Sequence, residues 1–250
     1  MVKKSIQAFL GLIVLSAMPF LVGCEDSKPK APVLTFAISA EYPPFEYIEK
    51  GETKGFDIDV AKFIGKRLGM EVVFENRAFN TIFPLLDHGQ VDAAISTITA
   101  STERRKSFDF SEVYYKSDLA TIFKEQMPIT TVAQLEGKKV ACQLGSTMEL
   151  WLKAHLPSAS RVAMDHTNQA VEALKAGHVD TVLIDEVQAV MIIQKTPGLS
   201  YAVLAPADEG YAIAFKKGSI HREAVDRALK TLIADGELKK LEDKWLKGPS

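Results

Sequence analysis

The sequence is poor in the residues that most metal, redox and nucleic-acid chemistry requires. It holds two cysteines, Cys24 and Cys142. An internal disulfide would consume both, and a thiolate metal site needs more. The five histidines are scattered, with no His/Glu cluster at metal-ligand spacing, and no phosphate loop of the GxxxxGK type occurs. No cofactor and no metal are therefore expected. No Lys/Arg block follows the Lys3–Lys4 pair, and the formal net charge is -2, which argues against nucleic acid as a partner. What is present is the composition of a globular protein, 47% hydrophobic and 25% charged, in a chain of 250 residues that can form two compact domains.

The first segment stands apart. Lys3 and Lys4 precede an uncharged apolar stretch from Ile6 to Val22, the pattern of an export signal or a membrane span. Leu21-Val22-Gly23-Cys24 resembles the lipobox of bacterial lipoproteins. That resemblance implies removal of residues 1–23 as a signal peptide and lipidation of Cys24, with diacylglyceryl and amide-linked (palmitate-type) chains. Residues 24–32, polar with two prolines, then read as a lipidated tether. A signal anchor with an incidental cysteine is the alternative; on either reading the rest of the chain is extracytoplasmic, at the periplasmic side or the cell surface. Cys142, in the run Lys138-Lys139-Val140-Ala141-Cys142, reads as a buried strand thiol.

From Val33 onward, strand-length apolar runs alternate with helix-period segments, which predicts α/β structure with a parallel sheet. A helix is expected over 57–68, with Val60, Phe63, Ile64 and Leu68 inward and Gly69 as its left-handed terminator. Another is expected from Ser219, as N-cap, to Ala234, with Ile220, Ala224, Val225, Ala228, Leu229 and Leu232 inward. Leu85–Ile95 and Ala173–Leu183 echo each other at a separation of 88 residues, each reading as helix, glycine stop and buried strand. Two copies suit two lobes of like construction. Polar clusters follow each echoed strand, Ser96-Thr97-Ile98-Thr99 and Asp185-Glu186. Ligands of open α/β sheets sit beyond the carboxyl ends of strands, so a site is expected where these clusters face one another.

Five motifs make the reading specific: Tyr42-Pro43-Pro44-Phe45-Glu46, Gly55-Phe56-Asp57-Ile58-Asp59, Val91-Asp92-Ala93-Ala94-Ile95, Thr99-Ala100-Ser101-Thr102-Glu103-Arg104 and Phe108-Asp109-Phe110-Ser111. In their order and spacing, from about Val33 to Trp245, they resemble the polar amino-acid solute-binding proteins of ABC importers, the extracellular solute-binding proteins of family 3. The resemblance implies a two-lobed periplasmic-binding-protein fold of type II, α/β, with two crossover strands as hinge. Residues 33–117 with 211–246 would form lobe 1 and 121–207 lobe 2, with the crossings at Tyr114–Phe123 and Ala202–Phe215. The implied function is capture of a polar or basic L-amino acid, arginine first and glutamine or histidine next, for delivery to an ABC transporter permease by a monomeric, lipid-anchored receptor.

Site residues follow partly from chemistry and partly from that resemblance. Arg104 offers a planar fork for a carboxylate and Thr99 a nearby donor. Thr147, at a helix start after Gln143-Leu144-Gly145-Ser146, can add a main-chain N–H. The resemblance makes Asp185 and Thr97 the partners of the ligand's α-ammonium, Tyr42 and Phe79 the aromatic walls, and Ser39, Gln143 and Met148 the specificity positions. Ser39 departs from the aspartate that several basic-ligand members carry there. Strand alternation places the Glu41 side chain on the face opposite Tyr42. No catalytic residue is expected. Two other readings stay open: a cyclohexadienyl-dehydratase-like enzyme on the same fold, with Glu186 or Glu149 as its acid, and a ligand-sensing lipoprotein.

Overall fold

The computed structural model describes residues 31–246. The signal segment, Cys24 and most of the tether lie outside the described residues. Among the described residues no helix is long and apolar enough to cross a membrane.

Two five-stranded sheets are built to one plan. The first runs in the order Glu71–Asn76, Val33–Ile38, Ala93–Ala94, Ala214–Lys216, Phe108–Phe110; the second runs Ser160–Met164, Lys139–Gln143, Thr181–Asp185, Leu119–Lys124, Leu199–Ala205. In each, the first three strands run parallel, the fourth runs against them and the fifth runs with them again. The sheets are thus mixed rather than wholly parallel. In the second sheet the antiparallel neighbours Leu119–Lys124 and Leu199–Ala205 are the first and the last of its strands in the chain. The expected echo is structural: helices Ile82–Asp87 and Thr167–Ala176 each lead through a glycine to a central strand. Even its aspartates act alike. Asp92 exchanges two hydrogen bonds with the Thr35 backbone, and Asp180 does the same with Lys139, each carboxylate accepting the N–H at 2.8 Å.

The crossing segments lie side by side. Leu119–Lys124 pairs antiparallel with Leu199–Ala205, and Tyr114 and Tyr115 pair with Tyr211. Phe45 anchors this junction to the first sheet's core, with ring centroids 5.3 Å from Tyr115, 5.6 Å from Phe56 and 5.7 Å from Tyr211, all edge-on, a favourable geometry for aromatic quadrupoles. Gly55 lets the chain pass beneath: a Cβ there would lie 2.0 Å from the Phe45 carbonyl oxygen, and its φ is 132°. A side chain is thus excluded twice over.

Helix Phe56–Leu68 forms as expected, with Val60 and Ile64 buried, Phe63 and Leu68 packed partly against the same core, and Gly69 in the left-handed cap at φ 65°. The expected helix from Ser219 begins later, at Arg222. The Ser219 hydroxyl instead accepts the His221 N–H in a local turn, and Ile220, expected inside, stands at that turn's tip 88% exposed. A hydroxyl that bonds its own backbone two residues on competes with helix initiation. Cys142 is buried in its strand, and burial pushes the thiol up to about 12.

Candidate functional site

Where the two sheets face each other a cavity is lined by Tyr42, Phe79, Thr97, Thr99 and Arg104 from the first and by Gln143, Ser146, Thr147, Met148, Thr167, Ala170 and Val182–Asp185 from the second. Apolar walls with a few convergent polar groups are what a small-ligand site needs. Nine of the ten expected binding positions line it. Ser39 does not: it is buried at the end of strand Val33–Ile38, its N–H given to the Ser96 hydroxyl and its own hydroxyl to Glu41, 3.2 Å away. Glu41 also departs from expectation. Its carboxylate reaches across to the Gln143 amide (3.3 Å) and to His166, while Tyr42 also reaches across, to Asp185. The strand Glu41–Tyr42 is two residues long, too short for a pleat to send neighbouring side chains to opposite faces.

Arg104 sits in the short helix Thr102–Ser107, whose N-cap Ser101 accepts the Arg104 N–H. Its guanidinium is buried. Nη1 donates to the Thr99 carbonyl (2.9 Å) and Nη2 to the Gly145 carbonyl of the second lobe (3.0 Å), with the Phe83 ring 4.8 Å and the Phe79 ring 5.7 Å from Cζ. Burial lowers its pKa to about 10, so it remains a cation at neutral pH. The aromatic faces favour that cation, but two carbonyls leave it short of a counter-charge.

Asp185 ends strand Thr181–Asp185 and occupies the N-cap position of helix Glu186–Ile193. Its side chain does not cap that helix; Oδ2 instead accepts the Tyr42 hydroxyl at 3.0 Å. The buried Tyr211 hydroxyl stands beside the same carboxylate without completing a well-formed hydrogen bond. Burial raises the carboxyl to about 7, against the opposing pull of the two tyrosines and of Arg104. Asp185 and Arg104 are the two charged residues of the lining. A ligand ammonium would favour the ionised carboxylate, so binding of a zwitterion should release a proton in acidic buffer. Below about pH 7 each unit of acidity should then weaken binding by up to about tenfold, because the ionised fraction falls by that factor. Calorimetry at pH 8 and pH 6 in buffers of different ionisation enthalpy is expected to give about tenfold weaker binding at pH 6, with proton release. Equal affinities would remove Asp185 from contact with a cation.

The loop Gln143–Thr147 is pinned from within. Ser146 caps helix Thr147–His155 by accepting the Glu149 N–H, its hydroxyl donates to the Gln143 carbonyl at 2.7 Å, and Glu149 accepts the Gly145 N–H at 2.8 Å. Gly145, at φ 79°, passes so near Asn80 that a Cβ would lie 3.2 Å from the Asn80 Cα. Burial would raise the Glu149 carboxyl, but the hydrogen bonds from Lys153 and the Gly145 N–H outweigh it and hold it low. An ionised, paired Glu149 is ill suited to act as a general acid. Among residues the sequence reading missed, Ser146 and Thr167 bring polar atoms to the cavity from helix starts. A hydroxyl residue where a helix begins after a strand of the second sheet was the available signal.

A model of the bacterial extracellular solute-binding proteins, family 3, matches residues 34–248, nearly the whole described chain. The chain belongs to that family. Among family 3 relatives, the arginine-binding extracellular protein ArtP of Bacillus subtilis is 35% identical over 90% of this chain and 89% of its own length. The ABC transporter arginine-binding protein 1 of Escherichia coli is 32% identical over 93% of this chain and 98% of its own. An ancestral arginine-binding protein solved with arginine superposes with a TM-score of 0.82 at 34% identity, covering 86% of this chain and 98% of that one. The family 3 fold is the two-lobed, type II arrangement of mixed sheets described above. Its members are solute-binding proteins of transport systems, and this family 3 chain is accordingly a binding protein and not an enzyme.

Proposed function

We propose that the protein captures a free L-amino acid with a basic or polar side chain, arginine first, and delivers it to an ABC importer. The observation that carries this reading is the pair of opposite charges in one cavity, the buried Arg104 guanidinium and the half-buried Asp185 carboxyl, from opposite lobes. A zwitterion placed with its α-carboxylate on Arg104, Thr99 and the Thr147 N–H and its α-ammonium on Asp185 and Thr97 gives each charge its partner. The side chain then lies between Tyr42 and Phe79, towards Gln143, Met148, Thr167 and Ala170. Two aromatics suit a planar guanidinium, amide or imidazole, and a guanidinium gains cation–π attraction as well. The lining offers no second cation for a dicarboxylic ligand. The names of the relatives, arginine-binding in all three cases, support the same choice.

A thermal-shift screen of the twenty amino acids tests it. Arginine is expected to raise the midpoint most, since a ligand at a hundred times its dissociation constant stabilises by about 2.7 kcal/mol. Selective stabilisation by aspartate or glutamate would refute the side-chain reading. Silence from all twenty would favour the sensing lipoprotein.

The lobe limits belong to the proposal: 33–117 with 211–246, and 121–207, consistent with the strands that make up each sheet. So do monomeric action and the anchor. Thioether-linked diacylglycerol at Cys24 plus an amide-linked chain would satisfy the two-signal requirement for stable attachment. Cys24→Ser is expected to move the protein from the detergent to the aqueous phase or leave it unprocessed. A wild type already found in the aqueous phase would contradict lipidation.

A further inference from the structure

Beneath the first lobe's part of the cavity lie two buried carboxyl groups that the charge pairing above does not use. Glu46, 1% exposed, ends the turn after Tyr42; Asp57, fully buried, opens helix Phe56–Leu68. Their environments differ in a way that assigns their protons. Asp57 accepts two hydrogen bonds, from the Thr97 N–H (2.8 Å) and the Tyr114 hydroxyl (2.9 Å). Glu46 accepts one, from the Ser96 hydroxyl at 2.7 Å, and that hydroxyl is oriented by accepting the Ser39 N–H at 3.0 Å. Glu46 Oε2 is buried next to Asp57 with no donor to accept from. An oxygen so placed is satisfied when it carries a proton and donates it to the neighbouring carboxylate, and two such groups cannot both ionise at low cost.

We propose that Glu46 and Asp57 form a one-proton carboxyl pair that holds the Ser96–Thr97 turn in its binding shape, which makes them positioning residues of the amino-acid site. The inference rests on the reading of Thr97 as a ligand residue. Thr97 has φ 46°, a left-handed conformation that costs a β-branched residue energy and persists only where its surroundings enforce it. Asp57 enforces it by taking the Thr97 N–H, and the adjacent Glu46 takes the Ser96 hydroxyl, so consecutive residues of the turn are tied to the two halves of one pair. The proton sits on Glu46, because Asp57 has the two donors that favour an anion. Burial and the Asp57 charge raise the Glu46 carboxyl, in keeping with that placement. The other titratable groups facing the pair are Tyr114, Tyr42 and Glu41, each neutral or negative, so loss of the proton leaves two carboxylates with no cation between them. The turn should then loosen, and affinity should fall on the alkaline side.

Glu46→Gln separates this role from mere packing, because the amide N–H donates permanently where the proton did and the amide oxygen still accepts from Ser96. Arginine titrations are expected to give E46Q an affinity within about threefold of wild type at pH 7 and an advantage of at least about tenfold by pH 10, the titrations of the free ligand and of Arg104, at about 10, being common to both. E46A, which cannot donate, is expected to bind at least about tenfold more weakly than E46Q at pH 7. Infrared difference spectra at about pH 8.5, where Asp185 is ionised, supply a readout independent of binding: a protonated-carboxyl carbonyl stretch present in wild type and absent in E46Q. A wild type without that band, a band that survives in E46Q, or parallel alkaline losses in both proteins would overturn the pair. If arginine binds neither protein but the band behaves as stated, it is the amino-acid reading that fails and not the proton assignment.

Discussion

Arg104→Ala is expected to weaken amino-acid binding at least ~30-fold, and Asp185→Ala to do the same, since stripping the partner from a buried charge costs on the order of 2–5 kcal/mol and each 1.4 kcal/mol is tenfold. The Arg104 estimate belongs at the upper end. Its guanidinium is buried between two carbonyls and two rings, where a charge pair with the ligand's carboxylate is worth more than in water. Removing it leaves that carboxylate without its cation in the same pocket. Calorimetry of both variants reads the effect, with circular dichroism to establish that they are folded. Unchanged affinity in both would remove the two residues from the site.

Phe45→Ala should produce the largest loss of stability. Phe45 is fully buried and its ring meets Phe56, Tyr115 and Tyr211, so its loss opens a cavity at the junction from which both crossing segments depart. Phe→Ala in a core costs about 3–5 kcal/mol. For a chain of this size that corresponds to a fall in melting temperature of roughly 6–20 °C. Scanning calorimetry gives the number. A fall of less than about 3 °C would mean that the neighbouring rings close over the gap, and that the junction is held by its strand pairing instead.

Much of this was legible in the sequence because it rests on local signals. Helix Phe56–Leu68 announced itself through apolar spacing and Gly69, and the repeated Leu–Gly–Asp pattern foretold two lobes built alike, since each copy encodes a helix stop and a strand start. The cavity lining was legible where side-chain chemistry is distinctive, as at Arg104 and Asp185. Ser39 was not, because its fate depends on a hydrogen bond to Ser96, 57 residues away, that spacing does not reveal. Glu41 was misjudged because alternation presumes a strand longer than two residues. The late start of helix Arg222–Ala234 turned on a choice between two uses of one hydroxyl, and Ser219 fits either on propensity alone.

The bonds across the cleft that involve protein atoms alone bear on affinity in another way. Tyr42 with Asp185, Arg104 with the Gly145 carbonyl, and Glu41 with Gln143 and His166 join the lobes directly. Each would favour this shut arrangement of the lobes over one in which they swing apart about the crossing strands, whatever fills the cavity. A solute that binds the shut form pays less for closure when that form is already populated, and its apparent dissociation constant falls in proportion to the population. Affinity in this protein can therefore drift through residues that never meet the solute: a change at His166, outside the cavity wall, would retune how much amino acid is held at a given concentration while leaving the order of preference among amino acids as it was.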